Sequence, residues 1–184
     1  VHSPHSRSLF WSHTLWFMTE YSVPTFLKEV RDLTKFKELI FLNRYDWIPL
    51  ILLGLICYFL PEFTWFATLT GLSNMQSLMW GFFVPTILLY HATFAVNSIN
   101  HLFGTRQFDT KDESRNNWFI ALIAFGEGWH NNHHFYPASA RQGFFKGEFD
   151  ITYYGLKFQS FFGLVRDLRP VPVWVKEKSN RPSS

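Results

Sequence analysis

The sequence predicts an all-α protein: an integral membrane helical hairpin with a helical cap on the cytoplasmic side. Charge zoning predicts it first. Six of the 17 Lys and Arg fall in residues 1–45, none in 46–100, and the other eleven in 101–184. The basic-free zone holds two long apolar runs joined by a short uncharged link. Aromatic residues make up 20% of the 184, with 22 Phe and 8 Trp. That density suits a lipid-facing protein, because Trp and Tyr favour the membrane interface.

Residues 1–45 read as a cytoplasmic amphipathic segment. Within 25–42, Phe26, Leu27, Val30, Leu33, Phe36, Leu39 and Ile40 recur close to a 3.6 period. Charged residues fill positions between them, which predicts a helix lying on a membrane surface or against the domain. Residues 46–100 form the hairpin. Its first helix begins at Trp47 and runs to Leu60. Spanning a bilayer takes about 20 apolar residues, so the helix continues past Pro61 and Glu62 to Leu69. The link covers about Thr70 to Ser77. The second helix is Leu78 to Val96, which includes Pro85 and His91. Both flanks then lie on one side, and their Lys and Arg assign that side to the cytoplasm. The competing reading is a buried helical hairpin in a soluble protein.

Residues 101–184 read as the cytoplasmic, metal-binding and C-terminal region. The apolar run Trp118 to Phe125 leads into a histidine cluster, and 150–166 gives another apolar segment. The tail from Arg169, with Pro170, Pro172 and Pro182, reads as extended and loosely held. Cys57 is the single cysteine, so there is no disulfide framework. It reads as a small buried hydrophobe.

The candidate chemistry lies in the histidines. His130, His133 and His134 are spaced i, i+3 and i+4, so a helix puts all three on one face. Converging imidazoles suit iron, zinc, copper or nickel and do not choose among them. Upstream, Asn97 and His101 are spaced i, i+4 at the end of the second apolar run. A zinc protease box of the form His-Glu-x-x-His is absent, because Asn131 stands where its Glu would be. A thiol zinc site is excluded by the single cysteine. No phosphate-binding Gly-rich loop and no nucleophile elbow occurs.

These residues resemble a known family. Gly126-Glu127-Gly128-Trp129-His130-Asn131-Asn132-His133-His134 resembles the third histidine box of membrane fatty-acyl desaturases. Asn97-Ser98-x-x-His101 resembles the segment preceding it in the acyl-CoA branch. Thr105-Arg106 to Arg115-Asn116 resembles the loop between them. Val1-His2-Ser3-Pro4 and Ser12-His13 resemble the stretch after the second box. The likeness covers nearly the whole chain in order. One departure is Leu15, where the family usually has Gly before Trp16.

The resemblance implies a di-iron site with O2 as co-substrate. His101, His130, His133 and His134 match metal ligands, and Asn97 a residue reaching a metal through water. Glu127 and Asp109 are expected to orient ligand rings, as metal-bound histidines usually require. Asp112 reads as a solvated loop charge. Phe94 falls where the family lines its acyl tunnel. His13 and His91 match no ligand and read as structural. The expected partners are a fatty-acyl substrate (acyl-CoA or acyl-lipid), the bilayer, and an electron donor, either ferredoxin or a b-type cytochrome. The basic residues Arg106, Lys111, Arg115, Arg141 and Lys146 are candidates for docking the donor or an anionic headgroup. No nucleic-acid partner is expected. The first two boxes, H-x-x-x-x-H and H-x-x-H-H, would lie before Val1, and His2 and His5 lack their spacing. The chain therefore reads as a C-terminal fragment, inactive by itself. Rival outcomes on the same scaffold are a lipid hydroxylase and an alkane monooxygenase.

Overall fold

A computed structural model describes residues 8–19 and 27–180. His2, His5, Pro182 and the start of the 25–42 segment lie outside those residues. Among the described residues the chain is helical and has no strand, only two isolated antiparallel bridges, Thr105 to Asn116 and Asn116 to Trp129. It divides into two compact units: Glu20–Tyr90, and Val1–Thr19 with His91–Ser184.

In the first of these units, α1 (Lys37–Arg44) and α2 (Trp47–Phe59) follow a 3-10 turn at Leu33–Lys35. The long amphipathic helix expected over 25–42 is thus reduced to its last turns. Phe36 takes an extended backbone, φ −98° and ψ 109°, which breaks the helix before Lys37. The expected first span is also interrupted. Pro61 sits in a 3-10 turn, Leu60–Glu62, and Phe63 is extended before α3 (Thr64–Thr70) resumes. Proline removes an amide donor and crowds the preceding turn. Gly71, at φ 64°, ends α3 in the left-handed conformation that glycine adopts without strain.

The link then closes on its own side chains. Ser73 and Gln76 form a reciprocal capping box that starts α4 (Asn74–Leu78). Asn74 Nδ2 donates to Glu62 Oε1 at 2.6 Å. Beyond α4 the helix widens into a π turn at Met79–Phe83 and continues as α5 (Val84–Ser98). The π turn lies just ahead of Pro85, whose ring would otherwise crowd the Gly81 carbonyl. The helical run Asn74–His101 is 28 residues long and apolar enough to cross a membrane. The pair Lys37–Arg44 and Trp47–Glu62 passes the same test when taken together, bent by 76°.

The hairpin packs through small residues. A Cβ on Gly54 would sit 3.7 Å from Phe82, and one on Gly81 3.2 Å from Cys57 Sγ. Ser77 Oγ donates to the Cys57 carbonyl at 2.6 Å. These pairs run in opposite directions along the chain, so α2 and the Asn74–Phe83 stretch are antiparallel. Cys57 is buried, as its apolar setting predicts.

The other unit contains the end of α5, a 3-10 turn at Ile99–His101, α6 (Trp118–Ile123), α7 (His130–Phe135), α8 (Ile151–Phe161) and α9 (Val173–Glu177). Two small cores hold it. Ala95, Val96 and Ile120 join α5 to α6. Phe108, Phe144 and Val175 form the second, with Phe135 packed on it. The tail is therefore not loose: Val175 is 0% exposed, and Asn180 N–H donates to the Gln107 carbonyl at 2.7 Å. Pro172 precedes α9, a position where its missing amide costs nothing.

Candidate metal centre

The histidine helix α7 has six residues, too few to be stable in isolation. Its surroundings hold it. Trp129, the residue before it, makes no side-chain cap. Asn116 caps it from a distance instead. Its Oδ1 accepts from Asn131 N–H at 2.9 Å and Asn132 N–H at 3.2 Å, while its Nδ2 donates to Asn132 Oδ1 at 2.6 Å. Two of the helix's orphan donors are satisfied this way. Asn131 Oδ1 accepts from Gln107 N–H and Phe108 N–H, each at 2.8 Å, tying the 101–116 loop to α7.

The two glycines before the box are steric requirements. Gly126 has φ 120°, and with Phe125 at φ 54° it ends the apolar helix and turns the chain back. A Cβ on Gly128 would lie 1.9 Å from Ala121 N and 2.4 Å from the Asn117 carbonyl oxygen. Only glycine fits against α6 there.

The structure brings His101, His130 and His134 together, with one nitrogen from each lying within 4.8 Å of the others. His130 Nε2 lies 3.2 Å from His101 Nε2. Ring centroids are 5.1 Å apart for His101 and His130, and 4.2 Å for His130 and His134. His133 stands beside this trio, half-buried, with its ring 6.4 Å from His130 and 5.9 Å from His134. Asn97 is half-buried in the last turn of α5, ahead of the 3-10 turn that carries His101.

Asp112 holds the His134 ring through a hydrogen bond from Nδ1 to its Oδ2. The Ser114 amide and Thr110 hydroxyl bond its other oxygen at 2.9 and 3.2 Å. Arg106 shapes this loop by donating to the carbonyls of Thr110 and Asp112, both at 3.0 Å. Asp109, named from the sequence for the ring-orienting role, has a fully exposed side chain and lies 4.0 Å from the Arg106 guanidinium. Asp112, which the sequence suggests is a solvated loop charge, is the carboxylate that bonds a histidine ring. Glu127 is exposed and acts on His133 through its charge.

The donor set fits a metal ion. Burial lowers the His130 pKa to about 3, aided by His134, His101 and His133 and opposed by Asp112. Burial and His134 also lower His133, against Glu127. Neutral imidazoles keep the lone pairs that a metal needs. His130 Nδ1 is buried and has no hydrogen-bond partner. Burial works to raise the Asp112 pKa, yet the Ser114 hydrogen bonds and His134 hold it well below the ordinary value.

The remaining sequence candidates lie near the end of α5. His13 Nδ1 lies 2.9 Å from Ser98 Oγ, and His13 Nε2 3.1 Å from His91 Nδ1. Phe94 is half-buried, stacked on Phe17 at 5.1 Å and edge-on to His13 at 5.9 Å. Of the basic residues, Arg106 is engaged within its loop, and Arg141 lies 5.5 Å over the Tyr153 ring. Sequence reasoning missed Asn116, Asn131, Asn132 and Glu148. The one signal was the Asn-Asn pair inside the box.

A sequence profile of the fatty acid desaturase family matches residues 2–143. The chain belongs to the fatty acid desaturase family. It is 36% identical over 175 residues to a Synechocystis sn-1 stearoyl-lipid 9-desaturase, covering 92% of this chain and 50% of that protein. It is 34% identical over 171 residues to the Delta-9 acyl-lipid desaturase 1 of Arabidopsis thaliana, covering 91% and 52%. An Anemone leveillei acyl-CoA C20 Delta5-desaturase is 46% identical over 92 residues, half of this chain and 30% of that desaturase. The chain spans about half the length of the curated desaturases that it matches along most of its own.

Proposed function

We propose that this chain forms part of an iron-dependent membrane desaturase that introduces a double bond into a fatty-acyl chain. The convergence of His101, His130 and His134 beside the end of a long apolar helix carries this reading. His133 and Asn97 complete this chain's contribution, Asn97 through water. Two irons would need further ligands from the family's H-x-x-x-x-H box and from an H-x-x-H-H box other than His130 to His134, neither of which residues 1–184 contain. Bound iron would supply O2 activation, the chemistry needed to remove hydrogens from an unactivated alkyl chain.

The chain's own residues bind, orient and exclude water. Asp112 fixes the His134 tautomer by accepting from Nδ1, leaving Nε2 for the metal. Asn116 caps the start of α7, and Asn131 ties it to the 101–116 loop. Phe94 lines the path of the acyl chain, whose placement decides which carbons react. The apolar exteriors of α2 and α5, with Leu52, Ile56 and Leu88 exposed, suit lipid. The basic flanks favour a cytoplasmic metal site in a multi-pass protein. The relatives aligned along most of the chain are named for lipid-linked acyl substrates, which supports an acyl-lipid over an acyl-CoA. Electrons come from ferredoxin or a b-type cytochrome.

The test is product analysis on the full-length protein with iron, O2 and donor, given a lipid-linked saturated acyl chain. The expected product has lost two hydrogens. A product that has gained one oxygen would instead identify a lipid hydroxylase or alkane monooxygenase.

A further inference from the structure

Behind α7, on the side away from the histidines, lies a buried carboxylate that the chemistry does not use. Glu148 is 2% exposed. Its Oε1 accepts from Gln107 Nε2 at 2.8 Å. Its Oε2 accepts from Asn132 Nδ2 at 2.9 Å and from Phe145 N–H at 3.0 Å. One side chain thus joins the 101–116 loop, the histidine helix and the 142–150 turn.

Helix geometry shows what this controls. Residues step by about 100° around a helix. His130 and His134 then lie roughly 40° apart, and Asn132 points roughly 150° from the mean direction of the three histidines. A rotation of α7 that moved Asn132 would swing His130 and His134 off His101. So short a helix has little internal resistance to such a rotation. We propose that Glu148 is a positioning residue for the metal centre, acting through Asn132 to set the rotation of α7 and hence the convergence of His130 and His134 on His101. This rests on the metal-centre reading above.

The hydrogen-bond geometry predicts an unusual order of variants. Glu148→Gln can keep its oxygen toward Asn132 and Phe145 and turn its NH2 toward Gln107. Gln107 then flips its amide to accept. Its Oε1 is now buried without a partner, so the flip leaves the number of unpaired atoms unchanged. Glu148→Asp keeps the charge but shortens the arm by about 1.5 Å. It cannot hold Gln107 and Asn132 together, since hydrogen bonds fail beyond about 3.5 Å. Glu148→Leu keeps none of the bonds. The neutral amide should therefore outperform the charged, shorter acid.

The experiment is amide hydrogen exchange and iron-binding titration on the full-length protein and these three variants. Exchange is read on the metal-free form at residues 130–135, with residues 118–123 of α6 as internal reference. Glu148→Asp and Glu148→Leu should exchange at least tenfold faster in α7 with α6 unchanged, and bind iron at least tenfold more weakly. Glu148→Gln should stay within about threefold of the parent on both readouts, the scale left after an isosteric exchange of partners. If Glu148→Leu does not fold, the order of Gln and Asp decides. Unchanged α7 exchange in the Asp variant, Gln exchanging as fast as Asp, or an equal rise in α6 would each overturn the proposal. A parent that binds iron yet forms no double bond would sink the desaturase reading while leaving the exchange order to judge Glu148.

Discussion

The hairpin of α2 and the Asn74–Phe83 stretch and the region around α7 are held by opposite means. The hairpin relies on close approach: Gly54 under Phe82, Gly81 against Cys57, and one hydroxyl, Ser77, bonded to the Cys57 carbonyl. Its large apolar side chains point outward. Around α7 the interior is polar. Asn116, Asn131, Asn132, Glu148 and Asp150 are all buried, and their side chains bond backbone that no regular ladder satisfies. In lipid, apolar burial gives helices little reason to associate, so small residues and single hydrogen bonds do the joining. A metal centre needs fixed ring orientations, and directional amide bonds supply those where apolar contacts cannot.

The largest effect should come where the polar region leaves no space. Gly128→Ala drives a Cβ into the backbone of α6. It should cost ~4 kcal/mol or more, within the exceptional class of single substitutions. Folded yield and thermal unfolding in detergent measure this. Asn116→Ala comes next, because it strips the α7 amides and Asn132 Oδ1 of their partner. Leaving such groups buried should cost ~2–3 kcal/mol, read by the same unfolding measurement.

Asp112 and Asp109 give a sharper contrast. Asp112→Asn should weaken iron binding by about 10- to 100-fold through loss of the His134 orientation. Asp109→Asn, three residues away and fully exposed, should leave it unchanged. Equal effects in an iron titration would remove Asp112 from the centre.

The pH response should also separate the regions. His130 titrates near 3 in the folded protein against 6.5 ordinarily. Between those values the unfolded chain binds a proton there that the folded one does not. Stability of the metal-free protein is then greatest above about 6.5 and falls as pH drops toward about 3. His130→Gln should flatten that slope in denaturant unfolding at successive pH values. The smallest effect belongs to the hairpin: Ser77→Ala removes one buried hydrogen bond, about 1 kcal/mol.

What was legible in the sequence follows the same division. The hairpin was readable because its signal is local: a basic-free zone and two apolar runs. His130 and His134 were readable because i, i+4 spacing survives in a single turn. The breaks at Phe36 and Phe63 were not, since the apolar pattern continues straight through both. The Asp112 contact was missed because it bridges 22 positions and depends on the fold of the 106–114 loop. Asn116 caps a helix that starts 14 residues later, beyond any local capping rule. Val175 looked like part of a proline-rich tail, and only the assembled core reveals that it closes the Phe108 cluster.

His101, His130 and His134 are proposed to hold a metal together. Iron quantitation on the full-length protein and its single His101→Gln, His130→Gln and His134→Gln variants tests it most directly, with Asp109→Asn as the reference. Each histidine variant, while still folded, should lose at least half of the parent's bound iron, and Asp109→Asn should keep all of it. Folded histidine variants with the parent's full iron content would contradict the proposal.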